Sequence, residues 1–351
     1  MPESIENFLT LGFTVRTVKA GSVRVDLLGG TLDIYPINLV LSNVITLNMA
    51  TGLQAKVSID DIDERELILV SNDYDATKKF SLNELDNLDD NLEKFEQFEF
   101  VARVIRFFSP STGLRVSLSS GAPPGSGLGG SSAMGAVLFS ALSDHFHKHF
   151  KKEKVVSIVQ NIESKILNAG PAGYQDYYPS LFGGVLALKA TYSGVFVEQL
   201  FSTSLTHFLQ ENVRLIYSGE SRKSGINNWE VYKSFFDGDE VVRGGLSEIN
   251  SLSNRAYTSI KNEDYASLLS FIRDEGAIRE RLFPSILTDR MKSFQADLFE
   301  KFPLAGMKIC GAGGGGCFII TNVDSDIDEL LEKYSMKELP FEVSNPKERL
   351  L

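Results

Sequence analysis

Leu114, Val116 and Leu118 alternate with Arg115, Ser117 and Ser119, the period of two that marks a half-buried strand. Beyond a glycine-rich interval, Ala133, Met134, Ala136, Val137, Leu138, Phe139, Ala141 and Leu142 form an almost wholly apolar run of about three turns, with Ser131 or Ser132 placed to cap it. The pattern predicts strand, glycine loop, buried helix. Upstream, β-branched alternation at 13–18, 40–47, 54–59 and 66–70 predicts a mostly antiparallel opening. Leu85, Leu88, Leu92 and Phe95 among a cluster of acids predict one amphipathic helix within 76–98, followed by a second over 98–108. Over 153–168, Val155, Val156, Ile158, Val159, Ile162, Ile166 and Leu167 define a helical apolar arc, and Glu163 falls inside it. Strands are expected over 185–200 and from Val213, then long amphipathic helices over 226–300. The C-terminal part reads as strand 304–309, glycine loop 310–317, strand 318–321, a helix 326–334 capped by Ser325, and a strand 339–343, a βαβ-like unit.

Composition narrows the class. A chain of 351 residues, 43% hydrophobic and 23% charged, can bury a large core and suggests two domains. A net charge of −11 argues against nucleic acid and anionic membranes, so an anionic ligand has to be held by local donors or a metal ion. No apolar run approaches the roughly 18 residues of a membrane-spanning helix, and Glu3 and Glu6 spoil an export signal, so a cytoplasmic protein is expected. Cys310 and Cys317 build neither a disulfide framework nor a zinc site. His145 and His149 are four apart, yet beside Lys148, Lys151 and Lys152 they read as a solvated helix end.

The interval 122–133, Ala-Pro-Pro-Gly-Ser-Gly-Leu-Gly-Gly-Ser-Ser-Ala, carries the candidate chemistry. Four glycines within six residues let backbone N–H groups face inward, and a helix N-terminus adds partial positive charge, which suits a phosphate. A P-loop would need lysine where Ser131 stands. Gly125, Gly127 and Gly130 fit a dinucleotide fingerprint, but Pro123 and Pro124 separate them from the strand and no acidic residue follows at the required distance. Glu163, on a buried face, needs a partner: either a basic residue or a metal ion. Asp176 is the only charge in the aromatic, glycine-rich loop 168–184, and Ser218, Ser221, Arg222 and Ser224 offer donors for an anion after the strand at Val213.

The interval 123–133 resembles the central motif of the GHMP kinases, the superfamily of galactokinase, homoserine kinase, mevalonate kinase and phosphomevalonate kinase. Residues 23–36, with Arg24, Gly29, Gly30 and Asp33, are similar to the family's first motif in the form found in fucose and heptose-phosphate kinases, and 308–318 to its third, with Cys310 where serine or threonine is usual. The resemblance implies an α+β GHMP fold: a ribosomal protein S5 domain 2-like, ATP-binding domain over 1–200 and a ferredoxin-like domain over 201–351. It also implies ATP and Mg2+, with ATP cradled by Pro124, Gly125, Ser126, Gly127, Leu128, Gly129, Gly130, Ser131 and Ser132, and the metal held by Ser132 and Glu163. By the same resemblance Asp176 is the base and Arg24 sits near the reacting hydroxyl, while Asp33, Gln175, Arg222, Gly313 and Gly314 meet the acceptor, a sugar or sugar phosphate such as a heptose 7-phosphate. A mevalonate-type alcohol and a catalytically silent sugar and ATP sensor are the alternatives.

Overall fold

The computed structural model describes residues 17–167, 172–221, 226–324 and 326–347. Two sheets divide the chain. The first has seven strands: β1 (Thr17–Leu28), β2 (Ile45–Ile62), β3 (Glu66–Ser71), β4 (Ala76–Ser81), β5 (Gly113–Ser119), β6 (Val185–Thr191) and β7 (Gly194–Gln199). They run in the order β4-β3-β5-β2-β6-β7, with β1 also paired to β2. β2 is long enough to serve two partners: Ile45–Met49 pairs with β6 and Lys56–Ile62 with β5. All pairs are antiparallel except β3 with β5.

The second sheet is β8 (Val213–Tyr217), β9 (Gly306–Ile309), β10 (Cys317–Thr321) and β11 (Lys337–Leu339), in the order β11-β8-β10-β9 and antiparallel throughout. With helices between β8 and β9 and between β10 and β11, this is the β-α-β-β-α-β order of a ferredoxin-like unit, and the molecule is α+β.

The apolar helix forms over Gly130–His145 and packs on β1 and β2, while the helix Lys152–Leu167 covers its outer side. Burial all round explains why it lacks a polar stripe: Ala133, Ala136, Leu138, Phe139, Ala141 and Leu142 are fully buried. A second apolar cluster, including Ile216, Met291, Phe294, Phe318 and Ile320, lies between the second sheet and its helices.

Several local expectations are corrected. The segment 76–98 is not one helix: β4 occupies its start, and Ser81 with Glu84 forms a capping box that opens the short helix Leu82–Asp86. Three further short helical pieces come after it, with Glu96 in a left-handed conformation (φ 45°) breaking the run, though Leu85, Leu88 and Phe95 still face the core. The helix Gly130–His145 takes Gly129 as its N-cap and has no side-chain cap. Val40 ends the short helix Ile37–Val40, and the expected strand over 13–18 falls mostly outside the described residues. The final helix is Asp328–Lys333, with Ser325 outside the described residues, and the last strand ends at Leu339. The chain then returns to the first sheet, where Val343 bridges Thr51 and Lys347 donates its N–H to the Phe182 carbonyl. No helix among the described residues is long and apolar enough to cross a membrane.

Candidate active site

The loop 122–130 borders a cavity of about 660 Å3 between the two sheets. Gly125, Gly127 and Gly129 all take positive φ (70°, 74° and 71°), which turns successive backbone units inward and is open to glycine at low cost. At Gly129 there is a second reason: a Cβ would sit 3.1 Å from the Cβ and Cγ of Asp176. Pro124, Gly125, Ser126, Gly127, Gly129, Gly130, Ser131 and Ser132 line the cavity. Leu128, expected among them, is instead fully buried in the core, and only its carbonyl takes part, accepting the Arg24 N–H at 3.0 Å. Its apolar side chain gains more from the core than from the polar cavity.

Arg24 and Asp176, 152 residues apart, form the central pair. Nε of Arg24 donates to Asp176 Oδ1 at 2.8 Å, and a terminal nitrogen lies 2.7 Å from the same oxygen. Both contacts fall on Oδ1, which leaves Oδ2 for another partner. The other terminal nitrogen of Arg24 donates to the carbonyls of Gly127 and Cys310, each at 2.6 Å. The Arg24 side chain is 4% exposed; burial works to lower its pKa, but Asp176 and then Asp26 outweigh it and hold it above the ordinary value.

Asp33 lies beside this pair. Its carboxylate accepts the Gln175 N–H at 3.0 Å and its carbonyl the Tyr174 N–H at 3.3 Å, so the Asp176 loop is docked on the turn after β1. Burial pushes the Asp33 pKa up to about 7, against the opposing Gln175 bond. Gln175 lines the cavity with its buried Oε1 unpartnered.

On the helix side, Glu163 is buried as its position on the apolar arc predicts. Ser132 donates its hydroxyl to Glu163 Oε2 at 2.7 Å and Tyr177 donates to the same atom at 2.6 Å. Burial raises the Glu163 pKa above the usual carboxylate range, with the two hydroxyl donors opposing. No basic side chain pairs with it among the described residues. Among the described residues no cluster of three or more His, Cys, Asp or Glu could cage a metal. A hydroxyl and a carboxylate without a cation beside them suit Mg2+, which keeps water and substrate phosphate oxygens as most of its ligands.

The third glycine segment does less than expected. Gly311 and Ala312 line the cavity, whereas Gly313 and Gly314 do not. Gly314 donates its N–H to the Ile286 carbonyl, and a Cβ on Gly313 would fall 2.4 Å from Ile286 Cγ1, so both pack against protein. Arg222 lies outside the described residues. Cys310 contributes its carbonyl, while burial pushes its thiol up to about 12; both cysteines are free. Tyr174 is buried and does not line the cavity.

Two groups escaped the sequence reading. Tyr74, Phe98, Phe100, Val101 and Leu118 form an apolar recess on the far side of the glycine loop, a lining that suits a planar ring. Asp26, Glu275, Arg279 and Lys308 form a buried charged cluster below the opposite end. Their sequence signal is faint: aromatic residues at the start of a helix, and charges on otherwise ordinary elements.

Residues 98–184 match the GHMP kinases N terminal domain. The mevalonate kinase of Methanocaldococcus jannaschii is 27% identical over 305 residues, covering 84% of this chain and 88% of that protein. The bifunctional fucokinase/GDP-fucose pyrophosphorylase of Arabidopsis thaliana is 23% identical over 335 residues, which is 92% of this chain and 31% of the longer protein. Lactococcus lactis galactokinase, solved with galactose, superposes with a TM-score of 0.75 at 13% identity, covering 98% of each chain. The matched segment contains the glycine loop, Glu163 and Asp176 together, so this part of the chain is similar in sequence to the GHMP kinases, and the whole chain shares the fold of a solved galactokinase.

Proposed function

We propose that the chain transfers the γ-phosphoryl group of ATP to a hydroxyl of a sugar or sugar phosphate, of the heptose 7-phosphate kind. The observation that carries this reading is the Arg24–Asp176 pair, with Arg24 buried and Asp176 half-buried, facing the glycine loop in the same cavity as Asp33 and Gln175. The triphosphate would lie along 124–132 with its base in the aromatic recess, in a domain spanning 1–200, and the domain 201–351 would close the acceptor end. Mg2+, when bound, neutralises phosphate charge as the bond to the leaving group breaks. Ser132 and Glu163 would hold it.

Asp176 Oδ2 is the atom free to accept the proton of the attacking hydroxyl, while Arg24 holds the carboxylate in place through Oδ1. The Gln175 Oε1 is a buried acceptor without a donor, beside the buried Asp33 carboxyl on the cavity wall, which favours a polyol over a singly hydroxylated chain. Gly311 and Ala312 take the place expected of Gly313 and Gly314. A mevalonate-type acceptor is the competing reading because a mevalonate kinase is among the relatives that span most of the chain.

The test is ADP release with Mg-ATP and a panel of neutral sugars, uronic acids, sugar phosphates and mevalonate. Transfer to mevalonate alone sinks the sugar assignment; no transfer to any acceptor, with nucleotide still bound, points to a sensor. Arg222→Ala tests the phosphate: a charge-assisted bond is worth about 1.5–3 kcal/mol, so KM for a phosphorylated sugar should rise roughly tenfold to a hundredfold and that for its unphosphorylated parent should not.

A further inference from the structure

Below the acceptor end of the cavity, four ionisable side chains from both halves of the molecule are buried together. Asp26 stands on β1, Glu275 and Arg279 one turn apart on the helix Tyr265–Leu282, and Lys308 on β9. Lys308 Nζ lies 2.9 Å from Asp26 Oδ2 and 3.4 Å from Glu275 Oε1, and donates to the Asp26 carbonyl at 3.0 Å. Arg279 reaches the same two carboxylates at 3.8 Å each and donates to the Gly311 carbonyl at 3.0 Å. Glu275 accepts the Gly29 N–H at 2.8 Å.

Two acids and two bases leave the cluster formally neutral. Stability does not account for it, because well-packed apolar residues in such a place are as stable or more so. Register does. Arg24 and Asp26 are alternate residues of one strand and project to the same side. They meet Cys310, just beyond the end of β9, and Lys308, within it. The Arg24–Cys310 bond and the Asp26–Lys308 pair are two rungs across the junction of the sheets, one strand repeat apart. Without the Lys308 ammonium, Asp26 and Glu275 would share one guanidinium, and Asp26 already acts on Arg24 through space. Arg24 would be pulled off Asp176.

We infer that this neutral quartet is a positioning device, centred on Lys308, that holds Arg24 and the Cys310–Ala312 segment in one register across the cleft. It acts on phosphoryl transfer rather than on nucleotide binding. The inference rests on the kinase reading of the site.

The experiment is a charge-balance cycle. Lys308→Met should lower kcat about tenfold to a hundredfold with KM for ATP within about twofold, since small misplacements of catalytic groups are costly. Adding Asp26→Asn restores neutrality and should recover most of that loss. Asp26→Asn alone, which leaves an excess cation, should also lower kcat and serves if Lys308→Met does not fold. Unchanged kcat in the single variants, or losses that simply multiply in the double variant, would overturn the inference. Amide exchange gives a readout independent of turnover. Cys317 donates its N–H to the Ser126 carbonyl across the cleft, and this amide should exchange at least about tenfold faster in Lys308→Met and return toward wild type in the double variant. If wild type phosphorylates no acceptor, the kinase reading fails, while unchanged exchange at Cys317 still rejects the quartet's role.

Discussion

Two glycine segments of similar composition face each other across the cleft, and they use their glycines differently. In 122–130, Gly125, Gly127 and Gly129 turn backbone toward the cavity, and the loop runs straight into a helix N-terminus, where unpaired N–H groups concentrate. In 310–317, a loop between two antiparallel strands, Gly313, Gly314, Gly315 and Gly316 also take positive φ. There a Cβ would meet protein: Ile286 at Gly313, the Glu220 carbonyl 2.8 Å away at Gly315, and the Ser126 carbonyl 2.7 Å away at Gly316. Glycine richness therefore announces a close backbone approach. Whether the glycines open onto a cavity or onto other protein goes with the element they lead into, a helix in one case and a returning strand in the other.

The largest effects belong on the first side. Asp176→Asn should depress kcat by roughly a hundredfold to ten-thousandfold while nucleotide affinity stays near wild type. Single-turnover transfer beside a nucleotide titration checks this, and wild-type transfer removes Asp176 as the base. Next comes Glu163→Gln, which should cost on the order of a hundredfold in ADP release at saturating Mg-ATP. An unchanged rate would make Glu163 a structural charge satisfied by Ser132 and Tyr177 alone.

The loops can be contrasted directly with alanine. Gly129→Ala adds a Cβ against Asp176 at a positive φ, and should lower kcat about tenfold. Gly313→Ala should instead lower thermal stability, by about 1–3 kcal/mol from overpacking and strain, with kcat of the folded protein within about threefold. Equal effects of both substitutions on kcat would erase the distinction drawn between the two segments.

At Asp33 the effect depends on pH and vanishes in acid. Its folded pKa of about 7 lies above the ordinary 3.8, so the folded protein binds this proton more tightly than the unfolded chain. The associated stability is complete below about pH 4 and is lost as pH rises through 7. Asp33→Asn removes the loss, by up to about 4 kcal/mol, so its melting temperature should exceed that of wild type by several degrees at pH 8 and match it near pH 4. A difference equal at both pH values would trace to amide packing rather than charge.

What could be read along the chain was what neighbouring residues decide together. The strand, glycine loop and helix at 114–142 came from one alternating strand pattern, a cluster of glycines and an apolar run. Glu163 was legible as a buried carboxylate because helical phase alone places it among Val155, Val156 and Val159. The segment 76–98 was misread for the same reason: its leucines keep a helical spacing, while the Ser81–Glu84 cap and the left-handed Glu96 override the period at single residues. Arg24 and Asp176 could be given roles only through motif resemblance, since no local rule joins two residues 152 positions apart.

The sequence by itself determined the local conformations, the buried faces and the family motifs, because each depends on contacts within a few turns or a few strand residues. Only the tertiary structure decided that Arg24 spends its guanidinium on Asp176 and two carbonyls, that Gly313 and Gly314 face Ile286, and that Lys308 is buried between Asp26 and Glu275. Lysine and glutamate on amphipathic elements ordinarily point to water, and burial changes their meaning only when an opposite charge arrives from elsewhere in the chain. That arrival is set by how the two sheets pack.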